Sequence, residues 1–207
     1  AIRHFVLSTG LSKVNSTVGL DMLESALRDD LAAKAKRVMG VIHPLKVTIT
    51  NYPEDKLEYF VVANNQDNEA LGERKVPFSK HLYIENDDFV LEKPNKKYKR
   101  LALGIEVRLF HAYFIKANDV VYNDKGEIIE VLATYDPETL SGSGFDERKP
   151  NGTIHYVEAT QGLKAKMNFF GPMLDGDSDS DLMDRFNDDS WVVKEGVVEA
   201  SLVDAKP

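Results

Sequence analysis

The spacing of apolar residues divides the chain into a helical start and a long strand-forming remainder. Ile2, Phe5 and Val6 fall on one face of a helix, and Gly10 is a natural stop. After a polar Ser12–Thr17 stretch, Leu20, Leu23, Leu27 and Leu31 recur at i, i+3, i+7 and i+11, with Glu24, Arg28 and Asp29 facing elsewhere. This predicts an αα-hairpin or small bundle of about 35–40 residues, too small to be stable unless it packs on something else.

From His43 the period shortens to two. Leu45, Val47 and Ile49 alternate with Lys46, Thr48 and Thr50, as in a half-buried strand. Further strands are predicted over Leu57–Ala63, His81–Ile84, Leu101–Phe110, Ala112–Lys116, Val120–Tyr122, Ile128–Tyr135, Thr153–Ala159, Ala165–Phe170 and Trp191–Val193. Turn-rich pieces at Asn64–Asn68, Asn123–Gly126 and Ser141–Gly152 separate them, and Asn123-Asp124-Lys125-Gly126 signals a hairpin. Short strands at this spacing, without long helices between them, predict a β-barrel or sandwich.

Composition narrows the class. A chain of 207 residues, 43% of them hydrophobic, can form one large or two small domains around a real core. No apolar run reaches the roughly 18–20 residues of a membrane span. No signal-peptide pattern follows Ala1, so a soluble, cytoplasmic protein is expected. The lack of cysteine excludes disulfides, thiolate zinc sites and a cysteine nucleophile.

Enzyme signatures are mostly missing too. There is no G-x-x-x-x-G-K-[ST] loop and no G-x-G-x-x-G opening a βαβ unit. Gly142-Ser143-Gly144 lacks the flanks of a nucleophile elbow and reads as a turn. The histidines His4, His43, His81, His111 and His155 are scattered singles. Asp175, Asp177, Asp179 and Asp181 alternate as calcium ligands do, but neither register supplies the Gly and Glu of an EF-hand loop.

A net charge of -8 argues at first against a nucleic-acid partner. The distribution of charge changes that. Leu174–Ser190 holds seven aspartates and one arginine, and reads as a solvated loop. Lys93-Pro-Asn-Lys96-Lys97-Tyr98-Lys99-Arg100, followed by Arg108, is locally basic with an embedded aromatic. Such a run can pair with phosphates and stack on unpaired bases, although edge lysines also serve simply to keep strands apart.

The motifs then take on a likeness. Lys36-Arg37-Val-Met-Gly-Val-Ile-His43-Pro44-Leu-Lys-Val, Arg74-Lys75-Val76-Pro77-Phe78-Ser79 and Tyr98-Lys99-Arg100-Leu101 resemble the C-terminal anticodon-binding region of bacterial-type glutaminyl-tRNA synthetases. So do Gly104, Glu106-Val107-Arg108-Leu109, Ala112-Tyr113, Thr134-Tyr135-Asp136 and Ile154-His155-Tyr156-Val157. Upstream, Leu23-Glu24-Ser25 and Arg28-Asp29-Asp30-Leu31 are similar to that family's helical subdomain. Glutamyl-tRNA synthetases of eukaryotic and archaeal type share the architecture. A lone ribosomal L25-like protein would need only one barrel, and a protein-interaction module is favoured only by net charge.

The resemblance implies a mainly β fold with an N-terminal helical subdomain over residues 1–40. Residues 41–207 would form two small L25-like β-barrels with exchanged strands, the second left incomplete because the chain stops at Asp204–Pro207. It implies a monomer that binds tRNA(Gln), with no role on DNA or a membrane. ATP and Mg would belong to a catalytic domain absent here, so this region would bear no cofactor and be inactive alone. The implied anticodon-binding residues are Arg37, Asn68, Lys97, Lys99, Arg100, Arg108 and Phe110. Arg37 would lie near the middle base, Arg100 at the third and Arg108 at the first. Lys97 stands where relatives carry a glutamine, Phe110 where they carry an arginine, and Asp67 replaces an asparagine beside Asn68.

Overall fold

In the computed structural model, which describes residues 1–10, 13, 17–174, 176, 181 and 183–205, helix gives way to strand close to where the apolar period changes. Two compact units emerge. One comprises residues 1–38 and 61–74, the other residues 39–60 and 75–207.

In the first unit, α1 (Ile2–Thr9) ends at Gly10 and α2 (Leu20–Lys34) at Ala35, whose backbone turns extended. Asp21 in the first turn of α2 and Lys34 in the last complement the helix dipole, and Lys34 pairs with Asp30 at 2.5 Å. Neither helix buries a residue, and Leu27 and Leu31 of the stripe stay exposed. Carbonyls at the end of α2 are met by asparagine side chains of the same unit. Asn65 Nδ2 donates to the carbonyl oxygens of Ala32 and Ala35, and Asn68 Nδ2 to that of Ala33. Much of the Ser12–Thr17 stretch lies outside the described residues.

The strands among the described residues are β1 (Gly40–Val41), β2 (Pro44–Ile49), β3 (Glu58–Ala63), β4 (Glu73–Phe78), β5 (His81–Glu85), β6 (Phe89–Val90) and β7 (Leu101–Ala102). There follow β8 (Glu106–Leu109), β9 (Phe114–Tyr122), β10 (Ile128–Asp136), β11 (Thr153–Ile154), β12 (Val157–Glu158), β13 (Leu163–Phe170) and β14 (Trp191–Val198). The largest sheet runs in the order β11-β8-β9-β10-β2-β5-β12. A smaller one runs β1-β14-β13, and β3-β4 and β6-β7 form pairs. The chain is thus mainly β with two helices at its start, as expected.

The expected hairpin joins β9 to β10. Asn123 Oδ1 accepts the amides of Lys125 and Glu127, and Gly126 takes a left-handed φ of 80°. Other expectations change in detail. The run Leu101–Phe110 breaks into β7 and β8 because Gly104 turns the chain at φ 74°. The runs before and after Ala117 join in β9, which carries an irregularity beside buried Ala117, where its register with β10 shifts between Leu132 and Ala133. Thr153–Ala159 splits into β11 and β12. The last strand continues past Val193 to Val198, although Lys194, Glu195 and Gly196 carry no apolar alternation.

At the core of the second unit Phe78 and Tyr156 are fully buried, with ring centroids 5.5 Å apart. Tyr52, Phe60 and Tyr113 pack on Phe78 at 5.4–5.6 Å, mostly edge to face. The Tyr52 and Tyr113 hydroxyls both donate to the Glu58 carboxylate. A buried carboxylate, Glu158, accepts from Ser79 Oγ (2.6 Å) and from the Thr160 and Gln161 amides. Buried polar groups generally have such partners; among the described residues the Tyr156 hydroxyl is a buried one without.

Candidate nucleic-acid interface

The basic run forms the connection from β6 to β7, strands that pair in parallel with Phe89 opposite Leu101. Its shape is set locally. Asn95 Oδ1 accepts the amides of Lys97 (2.9 Å) and Tyr98 (3.1 Å), folding the chain into a tight turn. Tyr98 lies half-buried with its hydroxyl directed at the Leu101 carbonyl oxygen, and burial pushes its phenol above the usual range. Lys96, Lys97 and Lys99 are exposed, and no acidic side chain among the described residues pairs with them. Three cations on one short turn, without counter-charges, make a local anion-attracting surface on an acidic chain.

Arg100, at the end of the turn, is held differently. It pairs with Asp88 at 2.9 Å and donates to the Asp87 carbonyl oxygen. Asp88 is only 6% exposed; burial raises its carboxyl above the ordinary value, against the pull of Arg100. About half of Arg100 remains open to solvent, so its guanidinium has donors left for another acceptor.

Arg108 and Phe110 sit on and just after β8. The Arg108 guanidinium donates to the carbonyl oxygens of Thr139 (2.9 Å) and Ala112 (3.3 Å), and lies over the ring of Phe114. Burial lowers its pKa from the ordinary value. Phe110 begins a tight turn in which His111 adopts φ 60°, an uncommon conformation for a residue with a Cβ. The two rings meet edge to face with centroids 4.0 Å apart, forming a half-exposed aromatic pair.

Arg37 and Asn68 belong to the first unit. Arg37 pairs with Asp67 at 2.5 Å and also donates to the Ala32 carbonyl oxygen. Asn68 uses both ends of its amide, capping α2 through Ala33 and accepting the Ala70 amide. The structure therefore gathers Lys97, Lys99 and Arg100 on one turn, places Arg108 and Phe110 together, and sets Arg37 and Asn68 at the end of α2.

Several participants escape sequence reasoning. His111 looks like any scattered histidine until its backbone angle is known. Asn151 and Gly152, in a stretch read as a turn, lie directly against the basic segment. Asp175, Asp177 and Asp179 of the calcium-like alternation lie outside the described residues. Among the described residues no group of three or more His, Asp or Glu is placed to hold a metal ion. Likewise, no helix there is long and apolar enough to cross a membrane.

The sequence also resembles known proteins. The family described as tRNA synthetases class I (E and Q), anti-codon binding domain, matches residues 35–136, which contain the basic turn, β8 and Phe110. The chain is 46% identical to a glutamine–tRNA ligase of Clostridioides difficile, with all of this chain and 38% of the relative covered. A glutamine–tRNA ligase of Clostridium perfringens is 44% identical over the same shares, and one of Vibrio vulnificus 41% identical, with 37% of that relative covered. The chain thus spans little more than a third of the length of these relatives. These matches place the chain in the family of class I glutamyl- and glutaminyl-tRNA synthetases, as a glutaminyl-type anticodon-binding region.

Proposed function

We propose that this chain binds the anticodon loop of tRNA(Gln) and serves a ligase that attaches glutamine to that tRNA. The observation that carries the reading is the turn with exposed, unpaired Lys96, Lys97 and Lys99 inside the family-matched residues. Lys97, Lys99 and Arg100 contact the loop, Phe110 offers a ring for stacking, and Arg108, Arg37 and Asn68 complete the contact set. In an anticodon loop the bases are splayed, and each pocket satisfies one Watson–Crick edge. A wrong base leaves buried polar groups unpaired, at a cost of about 1–3 kcal/mol. In the full ligase that binding energy serves transition-state positioning at a distant active site.

The same reading divides the chain into a helical subdomain, 1–40, and a region, 41–207, of two L25-like barrels. It makes the chain a cytoplasmic monomer and a binder without catalysis of its own. ATP and Mg act in another part of the ligase.

The test is titration of the 207-residue chain with a stem-loop carrying a glutamine anticodon, a scrambled loop and a ribosomal RNA fragment, at two salt concentrations. Preference for the first, weakening as salt rises, is expected. Equal affinity for all of them would overturn the reading, and preference for the ribosomal fragment would replace it. Arg100→Ala should weaken binding to the cognate loop more than to a loop changed at its third base. Equal losses would reduce Arg100 to a phosphate contact.

A further inference from the structure

The basic turn carries its lysines on backbone that hardly pairs with a sheet, so something else must hold them in place. That role falls to a dipeptide distant in sequence. Asn151 Nδ2 donates to the carbonyl oxygens of both Tyr98 (3.1 Å) and Arg100 (2.8 Å), on either side of Lys99. Its Oδ1 accepts from Lys93 Nζ, at the entrance to the turn. One amide therefore ties together the beginning and the end of the basic segment.

Asn151 is anchored in its turn to β8. Its own amide donates to the Glu106 carbonyl oxygen at 2.9 Å, and the Arg108 amide donates to the Gly152 carbonyl oxygen at 2.9 Å. Gly152 allows the close approach. A Cβ built there would lie 1.8 Å from the Lys99 carbonyl oxygen, far inside contact distance and against backbone that cannot swing away. The basic turn and the strand carrying Arg108 thus share one support, which fixes their spacing.

We propose that Asn151 is a positioning residue for RNA recognition, with Gly152 as the clearance that lets it act: it presents the Lys97–Arg100 segment as a rigid cationic surface in register with β8. The inference rests on the anticodon-binding reading above. A preformed surface avoids the ordering cost that a loose lysine loop would bear on binding.

The distinguishing experiment is a double-mutant cycle on the 207-residue chain, with the glutamine-anticodon stem-loop as probe. Asn151→Asp keeps an acceptor for Lys93 but removes the two donations to the turn. It should weaken binding on the order of ten-fold. In a background carrying Lys97→Ala and Lys99→Ala the same substitution should have almost no further effect, because Asn151 acts through those lysines. Asn151→Gln, which retains the amide, should recover part of the loss.

Equal weakening in both backgrounds would overturn the inference, as would wild-type affinity in Asn151→Asp. Thermal unfolding of each variant reports folding, and Asn151→Ala, which adds no charge, repeats the cycle if Asn151→Asp does not fold. A wild-type chain that fails to bind the stem-loop sinks the functional reading and this inference with it. A binding wild type beside an unaffected variant sinks the inference alone.

Discussion

The Arg108 guanidinium donates to the Thr139 carbonyl oxygen at 2.9 Å while resting 4.3 Å above the Phe114 ring centroid. Thr139 is itself buried, accepting the Phe114 amide and donating to the Asp136 carbonyl oxygen. Arg108 therefore closes a small circuit joining β8, β9 and the end of β10. Lysine cannot reproduce a planar fork over a ring. Arg108→Lys should lower stability by about 1–3 kcal/mol, read as a shifted urea midpoint with an unchanged slope. A midpoint equal to the parent's would show that these contacts carry little weight.

Arg100 has a stability role beside its proposed RNA contact. Asp88 titrates above its ordinary value because it is buried, and Arg100 opposes that shift. A carboxyl raised in the folded state adds no penalty while protonated in both states. The penalty grows as pH rises from the unfolded value through the folded one. Arg100→Ala removes the opposing cation, so its stability loss should be larger at pH 7 than at pH 4. About 1 kcal/mol is expected at neutrality, given how exposed Arg100 is. A loss independent of pH would mean that Asp88 is not involved.

Glu58 brings pH dependence at both ends of the scale. Burial works to raise its carboxyl, but hydrogen bonds from Tyr52 and Lys56 outweigh it and leave the group below its ordinary value. Stability from this group is present above the unfolded carboxyl value and fades as pH falls through the folded one. Tyr113 moves the other way, pushed up to about 12 by burial and by Glu58. Its unfolded phenol ionises near pH 10, so stability should decline as pH rises from about 10 toward 12. Glu58→Gln should flatten the acid limb and shift the alkaline one upward in denaturation midpoints followed across pH. Unchanged limbs would remove Glu58 from the account.

Gly126 closes the β9–β10 hairpin at φ 80°, where a Cβ meets its own backbone even though the surrounding space is open. Gly126→Ala should destabilise by about 1–2 kcal/mol, detectable by thermal unfolding. Gly126→Asn should lose less, since asparagine tolerates that region better. Equal losses for both would point to something other than backbone strain.

Much of this fold was legible because its signals are local. Leu45, Val47 and Ile49 alternate plainly, and β2 is where that pattern lies. By contrast β4 opens with Glu73-Arg74-Lys75, a polar half that hides the buried Val76 and Phe78. β1 and β6, two residues each, are too short to show any period. The basic turn was legible for the same local reason, being a run of like charges. Its fastening was not. Whether Arg108, Arg37 or Asn68 extends a free polar group or grips a carbonyl depends on backbone brought from elsewhere, and no spacing rule encodes that. Gly152 gives no clue to its role until Lys99 lies against it.

The parallel pairing of β2 with β10, which sets Val47 opposite Val131, bears on how the chain is made as well as how it stands. On the ribosome β2 can meet β5 early, yet its other edge stays open until Ile128–Asp136 has emerged. At ordinary elongation rates of about 5–20 residues per second, that interval is on the order of ten seconds. Throughout it, a strand of alternating apolar residues shows unpaired amides and carbonyls to neighbouring nascent chains. The most vulnerable moment for this protein therefore comes during synthesis, and mutations that weaken β10 should cause aggregation at birth before they cause loss of the finished fold.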